Sequence, residues 1–260
     1  GGLIDINAPV TLATGAITVS SGSGGGNVDF SGAIDGRQAL TLTSGSGNVV
    51  LGGAIGANTT VSSLEINSTA LSLAHNITTN DGLIDINSPV TLTGTNLVVS
   101  SGTGAGNVDF SSTISGGQNL DILSGTGNVI ISGDIGGTAL ASLDINQSAG
   151  TGDITISGKI GAAGASGAGI TRIGNDGMTG TLTFGGIDYN TTGAQTYEAD
   201  HIVMSGADPD FKTDDDNISF KDGGITLATT SNLTVDTTSS SAGNILIEGA
   251  IAGTSDGTTT

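Results

Sequence analysis

Residues 26–34, GNVDFSGAI, and residues 47–55, GNVVLGGAI, repeat one design 21 positions apart. The same design returns as GNVDFSSTI from Gly106 and GNVIISGDI from Gly127, again 21 apart, and as GDITISGKI from Gly152 and GNILIEGAI from Gly243. Each begins with Gly and Asn or Asp, runs through alternating apolar positions such as Val28 and Phe30 or Val49 and Leu51, and closes on Ile. Period-two alternation marks a short strand with one buried face, and the flanking Gly, Asn and Ser are turn formers. A strand, a corner and another strand at constant spacing predict stacked, equivalent coils.

A longer repeat contains the shorter one. Residues 2–56 match residues 82–136 without a gap, at an offset of 80 (82 minus 2), and past Gly56 the match slips by one, LEIN at 64–67 becoming LDIN at 143–146. Differences are small for small or aliphatic for aliphatic, as expected where an inward position must keep its volume. An 80-residue unit alone would fit tandem immunoglobulin-like sandwiches. The inner period of about 20 decides for a solenoid, because a sandwich needs unlike strands around a bulky centre and a solenoid demands repetition at the coil length. Disorder fails because low-complexity chains lack this apolar periodicity.

The predicted architecture is all-β, a right-handed parallel β-helix with coils of about 20 residues and four coils per 80-residue superrepeat. Some 13 coils stacked at about 4.8 Å would make a rod of roughly 60 Å. Asn27, Asn48, Asn107 and Asn128 are expected at equivalent corners, where Asn tolerates the left-handed conformation and its amide can ladder along the axis. Regular coils are expected over 1–160 and again over 223–260. Between them, 161–222 reads as an irregular coil or insertion, with GAAGASGAG at 161–169 as a loop and with both tyrosines, His201 and the densest acid cluster further on. The pattern is cut at both ends, which predicts one continuous solenoid belonging to a longer chain.

Composition agrees. The chain has 46 Gly, 3 Pro, no Cys, no Trp and 3% aromatics against 35% hydrophobic residues, so its core must be filled by stacked aliphatics. With 24 acidic and 5 basic residues the net charge is −19, which argues against nucleic acid or anionic lipid as partners. No stretch approaches the apolar length that spans a bilayer, so membrane insertion is not expected. Absence of cysteine and an acidic, soluble surface fit an extracellular protein that needs no disulfides.

The stretches GNVDFSGAIDG (26–36), LTLTSGSGNVVLGGAIG (40–56) and GLIDINAPVTL (2–12) resemble the coil repeats of filamentous-haemagglutinin-like exoproteins and other giant repeat adhesins of Gram-negative-type bacteria. The resemblance covers nearly the whole chain. It implies export across the outer membrane, a long right-handed β-helical rod, and display of a binding tip or a role in adhesion and aggregation. The family's secretion domain carries an Asn-Pro-Asn-Gly motif, whereas Pro9, Pro89 and Pro209 here sit in NAP, NSP and DPD. On that resemblance the segment is shaft, neither export domain nor tip.

Candidate chemistry is sparse. Parallel β-helices include polysaccharide lyases and hydrolases, whose sites gather carboxylates with Arg, Lys or His. Here His75 and His201 are far apart, only two Arg are present, and Asp5, Asp29, Asp85 and Asp109 follow the outward strand pattern, so no enzyme is expected. The run DPDFKTDDDN places Asp208, Asp210, Asp214, Asp215 and Asp216 within ten residues, dense enough to supply hard oxygen ligands for calcium. Its spacing matches neither an EF-hand nor a nonapeptide calcium repeat, and the alternative is a solvated acidic loop beside Lys212 and Lys221. No cofactor is required. Two functions stay open: the shaft of a secreted bacterial surface adhesin, spacing a binding region from the cell, and a self-assembling subunit of an extracellular fibre, sheath or surface layer. The partners expected are neighbouring coils or copies end to end, and glycans or proteins of host or neighbouring cells.

Overall fold

In the computed structural model, residues 1–161, 167–228, 232–237 and 243–253 are described. Strands of two to ten residues make up the fold, all pairing parallel, with no helix among the described residues. They stack as three faces of a β-solenoid. One inward position on the first face runs Ile4, Val28, Val49, Leu71, Val90, Ile114, Ile135, Ile160, then Tyr189, Phe211 and Val235 through the neighbouring register. The second face stacks Val10, Ile34, Ile55, Ile77, Val99, Ile122, Ile145, Ile173, Tyr197, Phe220 and Ile247. The third stacks Val19, Leu42, Ile66, Ile86, Phe110, Ile131, Ile156, Phe184, Met204 and Leu227.

Burial follows the alternation read from the sequence. From Val28 to Ile225 nearly every inward aliphatic is within a few per cent of full burial, in one continuous core. Each such side chain contributes about 1.5–3 kcal/mol relative to exposure, which is how a chain without tryptophan holds a tube closed.

Two expectations need correction. Ten register steps carry the first face from Ile4 to Val235, so 235 minus 4 divided by ten gives about 23 residues per coil, not 20. Eleven stacked coils span about 48 Å rather than 60 Å. Nor does the 80-residue repeat hold four coils. From Ile4 to Thr78 there are ten strands plus the bridge residue Ile55, eleven strand positions in all. Eleven over three faces is three and two-thirds coils, so each repeat unit advances by one face. Accordingly Val28 and Phe30 stand on the first face, while their repeat equivalents Val108 and Phe110 stand on the third. The 21-residue motif spacing measured one coil; on the first face other coils run from 19 residues, Leu71 to Val90, to 29, Ile160 to Tyr189, because corners vary in length.

Through 167–227 the stack continues with a different construction. The step from Ile160 to Tyr189 takes 29 residues, and the strands Gln195–Met204 and Ile218–Leu227 each run through two faces without a break. Within the predicted loop at 161–169, residues 162–166 lie outside the described residues and Ala168–Gly174 is a strand. Phe184, Tyr189, Tyr197, Phe211 and Phe220 pack here with ring centroids about 5 Å apart, from 4.6 Å for Tyr189 with Phe211 to 5.3 Å for Tyr197 with Phe211. Gln195, fully buried, ties the block together: its Nε2 donates to the Tyr189 and Lys212 carbonyls and to Thr191 Oγ1, and its Oε1 accepts from the Tyr197 hydroxyl at 3.0 Å.

Candidate functional site

The five aspartates of the acidic run take separate structural posts. Asp208 sits at a corner with φ of 53°, its Oδ1 accepting from the Asn232 backbone N–H and Nδ2 at 2.9 Å. Asp210 lies on the strand Asp210–Lys212, in register with Asp188 on the preceding coil. Its Oδ1 is buried with no hydrogen-bond partner. Burial pushes its carboxyl above the ordinary value, Lys212 opposes this, and Asp188 and Asp236 add to it. Asp214, Asp215 and Asp216 form the next corner, where Asp215 is left-handed and the Thr213 hydroxyl donates to the Asp216 carbonyl at 2.6 Å. No three of the five bring ligand atoms together.

A different trio converges. Asp176, Glu198 and Asp222 place their carboxylate oxygens within 4.8 Å of one another, the group of this kind found among the described residues. They come from three successive coils, at spacings of 22 and 24 residues. One-coil spacing was the signal in the sequence; a search along a ten-residue window could not see it. Glu198 is raised by burial, with Lys221 opposing and Asp222, Asp176 and Glu248 adding; Asp222 is raised by burial and then by Asp176, Glu248 and Asp200. Chemically this is a hard oxygen set on a solvent-facing surface, suited to a divalent cation in type and otherwise self-repelling.

Charge pairing elsewhere is structural. Arg172 clasps Asp144 through Nε and Nη2, both at 2.6 Å, Lys159 meets Asp188 at 2.8 Å and Lys212 meets Asp236 at 3.4 Å. His75 and His201 are exposed, five coils apart, and no carboxylate cluster gathers round either.

A large recess lies elsewhere, along the second face and the corners that border it. It is a groove of about 930 Å³ crossing three coils, with Ala74, His75 and Asn76 as floor and the segments 56–60 and 93–96 as walls. A smaller recess beside it, lined by Arg37, Asn58 and Asn80 among others, shares Thr60.

Stacked parallel strands on three faces, with an aliphatic core and a coil repeat, define a β-solenoid repeat protein. No protein family, curated protein or solved structure matches the chain.

Proposed function

We propose that this chain is a non-catalytic shaft segment of a large secreted bacterial surface protein, holding a binding region away from the cell. The observation that carries the reading is the unbroken inward column from Ile4 to Val235, which supports a spacer that advances by one strand spacing per coil. Its acidic excess resists association with the anionic surfaces of neighbouring cells, as a spacer requires. The coil-repeat resemblance points the same way. Antibody raised against the segment, applied to intact producing cells before and after protease shaving, tests it: surface labelling lost on shaving is expected, and labelling that appears only after lysis would sink the proposal.

The second reading, a self-assembling fibre subunit, draws on exposed aliphatics spaced along the rod, Leu3, Leu83, Ile170 and Ile187, each 42–61% exposed. Such side chains offer apolar contacts to neighbouring copies. Negative-stain images of the purified segment decide between short single rods and filaments.

A further inference from the structure

We propose that the corner groove over residues 54–60, 74–78 and 93–97 is a binding site for a neutral oligosaccharide, lying along the solenoid axis across three coils. The groove exists because the second face is bordered unequally in the three coils, by the first-to-second corners 74–76 and 93–96 and by 56–60, which leaves the second face toward the third. In the middle coil only Ala74, His75 and Asn76 connect Leu73 to Ile77, and this short corner makes the floor. On one side, strand pairing at Ile55 is a single bridge, after which Gly56 turns out at φ of 74° and the chain loops through Thr60. On the other side the corner is one residue longer, 93–96, with Asn96 left-handed.

Both walls are anchored. Asp35 accepts from the Asn58 and Thr59 backbone N–H groups and from Asn58 Nδ2, at 2.9 to 3.0 Å, and holds the first wall. Asn96 accepts from Asn119 Nδ2 and holds the second. Their bases touch the floor backbone: a Cβ on Gly56 would stand 2.2 Å from the Thr78 carbonyl oxygen, and one on Gly94 1.8 Å from that of Ala74. Rigid walls mean that little ordering is lost when a ligand enters.

The lining sets the ligand class. None of its residues carries a formal charge in a chain with 24 acidic groups. His75, the hydroxyls of Thr60, Thr78 and Thr95, and Asn76 Nδ2 have no hydrogen-bond partner among the described residues, and Asn76 Oδ1, accepting from the Val98 N–H at 2.9 Å, fixes the amide's orientation. Donors and acceptors in alternation, small side chains between them and no fixed charge match vicinal hydroxyls and acetamido groups rather than ions. Arg37 in the adjoining recess has no ion-pair partner among the described residues, so one end of the groove also lacks the repulsive surface found elsewhere.

The test uses the whole 260-residue chain and amide chemical-shift mapping with tetra-N-acetylchitotetraose and mannotetraose as neutral probes and tetragalacturonate as the anionic one. Shifts confined to 54–60, 74–78 and 93–97 with a neutral probe are expected, and affinity about tenfold weaker in His75→Ala/Thr95→Ala at unchanged melting temperature. Both side chains are exposed and unbonded, so the variant keeps the fold. Shifts spread elsewhere, unaltered affinity in the variant, no binding of either neutral probe, or tighter binding of tetragalacturonate would each overturn the proposal.

Discussion

At the corner preceding several of the repeated strands, an Asn or Asp side chain accepts a hydrogen bond from a backbone N–H of the next coil. Asn27 accepts from Asn48, Asn107 from Asn128, Asn128 from Asp153, and Asp153 from Thr181, at 2.8 to 3.0 Å. The sequence predicted left-handed Asn corners with an amide ladder; Asn27, Asn107 and Asn128 do link coils, but none of the four predicted Asn is left-handed, and Asn48 accepts no such bond among the described residues. The working atom is the side-chain carbonyl oxygen alone, which is why aspartate substitutes freely. Asn128→Ala should therefore cost about 1 kcal/mol, measured by urea unfolding, while Asn128→Asp should cost less. Outward carboxylates on adjacent coils set the pH response. Asp29 and Asp109 are raised by burial first, then by the charge of Asp5 and Asp85 on the neighbouring coil. A carboxyl whose folded pKa exceeds its unfolded one opposes folding while ionised, and the opposition fades as pH falls through the folded value. Asp35 runs the other way: its hydrogen bonds from Asn58 and Thr59 outweigh burial and lower it, so its contribution is lost at more acidic pH. Melting temperature should rise as pH drops from 7 into the upper carboxylate range and fall again below it, and Asp109→Asn should raise it at pH 7 and blunt the first rise; a flat profile in the parent would count against this.

Among the strands, those of 167–227 depart most from the repeat, and their packing explains why the sequence pattern faded there. In the regular coils the inward strand positions are Val, Ile or Leu apart from Phe30 and Phe110, so similar volumes sit above one another. Coils built from the strands Thr181–Phe184, Gln195–Met204 and Ile218–Leu227 instead fill their interior with five aromatic rings and one glutamine. Rings interlock edge to face across coils, so the volume rule that made 2–56 and 82–136 alignable no longer applies to single positions. Concentration of both tyrosines here was visible in the sequence; that they face inward was not, since Tyr189 and Tyr197 alternate among polar neighbours as exposed strand residues also do. Phe211→Ala should cost about 3–5 kcal/mol, against a smaller loss for Phe211→Leu, because Phe211 touches four of the other rings or their stacks. Tyr197→Phe should cost about 1–2 kcal/mol, the penalty of leaving Gln195 Oε1 buried without its donor.

For the whole rod, the disagreement between sequence period and coil period has a consequence that can be measured. Ala70 and Asp134 hold equivalent places, since their carbonyls accept from Val49 and Ile114, the inward residues of the coils before them on the first face. Deleting 71–134 joins Ala70 to Ile135 and removes three whole coils: Ile135 then stacks on Val49, Ile145 on Ile55 and Ile156 on Ile66, aliphatic on aliphatic at every face. Deleting 82–161 removes one near-perfect sequence repeat but three and two-thirds coils, so every strand beyond it must move round by one face. The chain has no cysteine, so spin labels at Thr18→Cys and Val203→Cys report cleanly. Both positions lie outward on the third face of the parent, eight coils or about 38 Å apart. The three-coil deletion should keep them on one face and shorten the distance by about 14 Å, with a narrow distribution. In the repeat deletion the second label falls on an adjacent face, so the distance no longer tracks the axial rise and must exceed it. If both deletions gave the same purely axial shortening, the precession of the repeat around the three faces would be wrong; if the three-coil deletion failed to fold while the repeat deletion folded, corner chemistry rather than inward stacking would be what holds successive coils together.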